Sequence, residues 1–99
     1  MAVVTDPEVY NGYNEQVIKI CAKNINTSDI KERDFYLLHY AEGLAGRGYY
    51  YQNRGENKEV LKCYESAMKM LEKIKVKTPQ ARSAQSYVYH NISAVYREL

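Results

Sequence analysis

Three glycines stand close together in the run Gly43-Leu44-Ala45-Gly46-Arg47-Gly48. Bare backbone of that kind can close on phosphate oxygens, which is what a phosphate-binding loop requires. Such a loop, however, follows a strand, opens a helix and carries Lys-Ser or Lys-Thr behind it. Here the glycines sit inside a helical stripe with no strand before them, so close packing of helices is the better use for them. His39 and His90 have no Cys or carboxylate at a metal-type spacing on the same face. Neither has a Ser or Cys beside it in a nucleophile motif. Cys21 and Cys63 lie far apart and fit no metal spacing. Glu56 and Glu59 are ordinary helix-start charges. The chain therefore offers no catalytic constellation, and the expectation is a non-enzyme that needs no metal and no cofactor.

The bulk properties narrow the class further. Ninety-nine residues make a single domain, 1–99, with a modest core. Fourteen basic residues against twelve acidic ones leave a formal net charge of +2, which lacks the footprint of a nucleic-acid binder. The weakly basic run Lys69, Lys73, Lys75, Lys77 and Arg82 suits a helix C-terminus and the loop after it. The start, MAVVTDPEVY, has neither the charged lead nor the long apolar run of a secretory signal. No stretch approaches the roughly 20 apolar residues needed to cross a bilayer. A soluble cytoplasmic protein with reduced thiols is expected, without nucleic-acid or membrane partners. The unusual feature is 11 Tyr and no Trp. Tyrosine pairs an apolar body with a polar tip and suits half-buried helix faces and binding surfaces.

The elements that position these residues are four helices. Asp6 as N-cap, Pro7 at the first position and Glu8 in the first turn start the first. Its predicted inner stripe is Tyr10, Tyr13, Val17, Ile20 and Cys21. Gly12 weakens it by roughly 1 kcal/mol relative to Ala. The polar run Asn26-Thr27-Ser28 reads as a turn, with Thr27 or Ser28 capping a second helix that runs as far as Arg54. Its stripe is Leu37, Leu38, Ala41, Leu44, Ala45, Gly48 and Tyr51, small in its second half. Gly55 ends this helix as a C′ glycine does. Asn57 caps the third, whose face is Val60, Leu61, Tyr64, Ala67, Met68, Leu71 and Ile74. After Lys75 a loop closes on Thr78-Pro79, and the fourth helix carries Ala84, Val88, Ile92, Val95 and Leu99. Val3-Val4 is too short for a strand. The fold class is all-α, built of antiparallel helical hairpins.

The stretch Leu44–Ala67 resembles the tetratricopeptide repeat family, whose pattern is Trp-x2-Leu-Gly-x2-Tyr, then Ala-x3-Phe, then Pro. Gly48 and Tyr51 match its Gly and Tyr, and Gly55 matches its turn glycine. Val60 stands at the Ala place, Tyr64 at the Phe place, and Ala67 at the small residue after it. Leu44 and Arg47 occupy the Trp and Leu places. A second, partial match runs from Tyr89 to Tyr96, with Asn91 and Ser93 at the Asn and Gly places. The offset from Tyr51 to Tyr96 exceeds the usual 34-residue period by about eleven. The extra length falls around Leu71 to Arg82, which implies an extended third helix and a wider loop. The match covers about residues 41–99 and is similar to long-helix variants in bacterial regulators that sense peptides.

The resemblance implies a right-handed helical repeat of about four helices that binds a protein or peptide partner. In the family, the first helix of each repeat lines a concave groove. Carried over by position, that surface holds Glu42, Ala45, Tyr49, Gln52 and Asn53 from the second helix. The fourth adds Tyr87, His90, Asn91, Ala94 and Arg97. The family's clamp for a C-terminal carboxylate needs a Lys and an Asn where this chain has Ala45 and Tyr49, so a Tyr-rich groove for an extended peptide or a helix is expected instead. The chain stops at Leu99, where a further helix is due. It is thus a fragment of a longer array, or another chain supplies the contact, most simply as a homodimer through the fourth helix. A self-associating structural protein and the peptide-sensing part of a bacterial regulator are the alternative functions.

Overall fold

The computed structural model describes residues 6–98. Val3-Val4 and Leu99 lie outside them. Four α-helices make up the fold, and no strand occurs among the described residues: α1 (Pro7–Asn24), α2 (Ile30–Asn53), α3 (Asn57–Glu72) and α4 (Pro79–Glu98). Each start has an identifiable cause. Asp6 is extended and its carboxylate accepts the Glu8 N–H at 2.9 Å, with Pro7 following where no N–H is needed. Asp29, not Thr27 or Ser28, caps α2: its Oδ1 accepts from Lys31 N at 2.9 Å and Glu32 N at 3.2 Å. A carboxylate serves two N–H groups and also complements the helix dipole, which a hydroxyl does not. Thr27 instead supports that cap, accepting from Asp29 N and donating to Glu32 Oε2 at 3.0 Å. Thr78 Oγ1 accepts from Ala81 N at 3.2 Å and opens α4 as its sequence indicates.

Between α2 and α3 the chain turns in three residues. Gly55 has φ +72°, Gly55 N bonds to Gln52 O, and Glu56 N bonds to Tyr51 O. This is a Schellman closure, which requires left-handed backbone that glycine adopts without a Cβ penalty. Because Glu56 is already tied to α2, it takes the N-cap place of α3, without a side-chain cap bond, and Asn57 becomes the first helical residue. Gly48 then lies against Cys63 and Tyr64, while Asp34 lies against Lys75 and Val76. The summed residue numbers stay nearly constant, so α2 and α3 run antiparallel. The same holds for Glu15 with Arg47 and Ile18 with Gly43, which sets α1 antiparallel to α2.

The core follows from these pairings. Leu37, Val60, Tyr64, Ala67 and Leu71 are fully buried, joined by Ala41, Leu44, Ala45 and Ile74 and, from α4, by Ala81, Val88 and Val95. Each fully buried large side chain is worth about 1.5–3 kcal/mol of transfer free energy. The third helix ends at Glu72 and is not extended. Lys77 Nζ donates to Leu71 O at 2.6 Å and closes it there, so the extra length lies in the connection 73–78. The Asp34 carboxylate braces that connection, accepting from Lys75 N at 2.9 Å and Val76 N at 3.0 Å.

Helix α1 departs from the expected register. Its buried residues are Ile18 and Cys21, with Asn11 and Asn14 half-buried beside them. Tyr10, Tyr13, Val17 and Ile20, expected inside, are exposed. Gly43 and Gly46 decide this. The space beside Gly43 is filled by Ile18 and Val17 atoms, and that beside Gly46 by the Asn14 amide. The glycine gap of α2 therefore admits the stripe 11, 14, 18 and 21, one residue round from the more apolar one. Among the described residues α1 packs on α2 alone, so only one narrow stripe is covered.

Candidate partner-binding surface

Small residues on facing helices leave hollows. Ala41, Ala45 and Gly46 on α2 and Ala84 on α4 keep both backbones low, and α3 is the main neighbour of each. Between α2 and α4 this opens a cavity of about 580 Å3, mostly apolar, with Leu71 and Val88 in its floor. Tyr87 forms one wall, 49% exposed. Glu42 lines it too, its Oε1 2.9 Å from His39 Nδ1. A second cavity of about 320 Å3 lies between the start of α1 and the end of α2, lined by Pro7, Tyr10, Tyr49, Tyr50 and Asn53. Gly46 borders both, so they adjoin across a position that has no side chain.

Tyr64 fills the core between α2 and α3. Its ring passes beside Gly48, whose added Cβ would meet the ring at 3.1 Å. The hydroxyl stays buried and donates to Gln52 Oε1 at 3.5 Å. Burial, with a smaller contribution from the neighbouring Tyr87, holds this phenol far above its ordinary range, so it stays a neutral donor. Gly48 thus has two roles: it brings α2 close to α3, and it leaves room for a core tyrosine whose hydroxyl reaches Gln52 on α2.

The structure divides the expected groove residues into three groups. Glu42, Ala45 and Tyr87 line the first cavity, and Tyr49 and Asn53 line the second. Gln52 is half-buried and occupied by Tyr64. His90, Asn91, Ala94 and Arg97 line neither cavity. The Asn91 amide donates to Tyr87 O at 2.7 Å, one turn back along its own helix. The register reasoning missed Tyr10, which was placed in the core. It also missed a third hollow of about 350 Å3 where Phe35 and Val76 stand exposed beside Leu38 and Ile74. The only signal for Tyr10 is that two stripes at three-and-four spacing run side by side on α1.

Beyond the first cavity several polar groups are paired. Arg47 makes a two-pronged bond to Glu15, at 2.5 and 2.6 Å, and this bond chiefly raises the guanidinium pKa. Tyr50 Oη donates to Glu8 at 2.5 Å, which raises its phenol, and Arg54 sits over the Tyr50 ring. Tyr96 is raised likewise by its bond to Glu65 across to α3. Cys21 and Cys63 are free and buried, and burial pushes both thiols up, so neither is a ready thiolate. Among the described residues, no group of three or more His, Cys, Asp or Glu could hold a metal ion, and no helix is long and apolar enough to cross a membrane. Compared with models of known protein families, with curated proteins and with solved structures, the chain matches none of them.

Proposed function

We propose that this chain is a protein-binding module of the tetratricopeptide-repeat type, a right-handed helical repeat that holds a peptide or helix of a partner protein. In this reading α2 and α3 form one repeat and α4 begins the next. The supporting register is that Gly48 abuts Tyr64, Tyr64 and Ala67 are fully buried, and Gly55 turns the chain with positive φ. One observation carries the functional part: the open, mostly apolar hollow between α2 and α4, lined by small residues of both helices with a tyrosine wall. Concave apolar surfaces with a few polar groups are where ligands and partner segments bind. Non-enzymatic adaptor work in the cytoplasm fits two buried thiols and nearly balanced charge.

The test is selection of a displayed peptide library on the immobilised domain, followed by titration of enriched peptides. Glu42→Lys and Tyr87→Ala alter exposed lining residues, so both should weaken binding at least tenfold without moving the melting temperature. Peptides that bind both variants as well as the parent refute the groove. Self-association through α4 is the second reading, favoured by Tyr89, which is 68% exposed on that helix. Val88 and Val95 are buried and cannot form such a contact. A Tyr89→Glu variant is therefore its probe, and unchanged self-association in that variant removes the reading.

A further inference from the structure

Among the described residues, helix α1 presents an apolar face that no other helix packs against. Tyr10, Tyr13, Val17 and Ile20, with Val9 beside them, are 37–57% exposed. The first four lie in line at spacings of three and four, the narrow seam through which two helices pack as a coiled coil. Among the described residues α1 touches only α2, which covers the neighbouring stripe. We propose that a second copy of this chain covers this seam, its α1 running antiparallel across a two-fold axis.

Three observations name that occupant. The seam is self-complementary: centred on position 15, Tyr10 faces Ile20 of the other copy and Tyr13 faces Val17, so each ring meets an aliphatic side chain. Isologous contact of this kind is what two-fold symmetry demands. The seam is also free of like-charge conflict. Glu8 and Glu15 are drawn to the other side of α1 by Arg54 and Arg47 of α2, and the flanking Gln16 is neutral. The area suffices as well. With half-exposed tyrosines contributing roughly 100 Å2 each, the strip comes to roughly 450 Å2 per copy. Both copies together, with the flanks, reach the ~1,000 Å2 that a specific interface needs. Of the seam residues only Tyr10 borders the second cavity, and none lines the hollow between α2 and α4, so failure of the seam leaves the peptide-binding reading of that hollow standing.

Sedimentation velocity of the full chain from low to high micromolar concentration tests it. The parent should pass from monomer to dimer. Tyr13→Glu and, independently, Ile20→Lys should stay monomeric with unchanged helicity, since both side chains are more than half exposed. Tyr89→Glu on α4 should dimerise as the parent does. The double variant Tyr13→Glu, Val17→Lys sets opposite charges against each other at both 13–17 contacts and should recover dimerisation lost in Tyr13→Glu alone. A parent that remains monomeric, dimerisation that survives Ile20→Lys, or a double variant that stays monomeric overturns the proposal.

Discussion

Replacing Gly48 by Ala sets two effects of known sign against each other. In a helix interior, Ala is favoured over Gly by about 1 kcal/mol. At Gly48, however, the new Cβ would meet Tyr64 Cζ at 3.1 Å, Tyr64 Cε1 at 3.2 Å and Cys63 Cβ at 3.3 Å. These are tighter than ordinary van der Waals contact. Tyr64 is fully buried, so its ring cannot yield without shifting its neighbours. Overpacking of this kind costs typically 1–3 kcal/mol. The packing term wins, and Gly48→Ala should destabilise by about 1 kcal/mol, lowering Tm by roughly 4–8 °C in a domain this small. Gly12 is the internal control, for it too lies in a helix but an added Cβ there meets nothing within 4 Å. Gly12→Ala should therefore raise Tm by several degrees, the full propensity gain. Thermal melts followed by circular dichroism on both variants decide the matter. If Gly48→Ala raises Tm as much as Gly12→Ala does, the close contact between α2 and α3 does not exist and the hairpin register is wrong.

Two further stability experiments follow. Asp34→Ala removes the acceptor for Lys75 N and Val76 N and should cost about 1–3 kcal/mol, the usual range for hydrogen bonds to a charged group; unchanged denaturant midpoints would show that the 73–78 connection holds itself. The buried phenol and thiols predict alkaline sensitivity. Tyr64, Cys21 and Cys63 have folded pKa values raised above ordinary values of 10.0 for the phenol and 9.0 for the thiols. The unfolded chain thus ionises first, so the stability these groups contribute is whole well below pH 9, the thiols' share being lost as pH passes 9.0 and the phenol's as it passes 10.0. Melting temperature should fall between pH 8 and pH 10.5, less steeply in Tyr64→Phe, and equal slopes would contradict a buried phenol.

Helix count, the buried faces of α2 and α3 and the α2–α3 turn were legible because each rests on local chemistry. Gly55 after a periodic run, Thr78-Pro79 before another, and the stripe from Val60 to Leu71 each have one physical reading. Residues that serve two competing positions were less legible. Asp29 takes a cap that Thr27 and Ser28 could also fill, because its charge decides the contest. On α1, the stripe 10, 13, 17 and 20 is the more hydrophobic one, yet 11, 14, 18 and 21 is buried, because the gap left by Gly43 and Gly46 on α2 sets the register. Information about α1 was therefore written in a different helix. The groove was half legible: position placed Glu42, Ala45 and Tyr87 together, but Gln52 is taken up by Tyr64, a contact between side chains on separate helices.

Gly43, Gly46 and Gly48 have a further consequence for the order of folding. Three glycines within six residues make the middle of α2 a poor helix when isolated, each costing about 1 kcal/mol relative to Ala. That segment cannot serve as an early nucleus, since helix initiation already fixes several residues for a single hydrogen bond. In the native fold Gly43 and Gly46 face α1 and Gly48 faces α3, so protection of its amide hydrogens from exchange is expected to need both neighbours docked. We therefore expect the central helix to become helix late, and amide exchange at Gly43–Gly48, once measured, to follow the stability of the assembled bundle rather than that of the isolated helix.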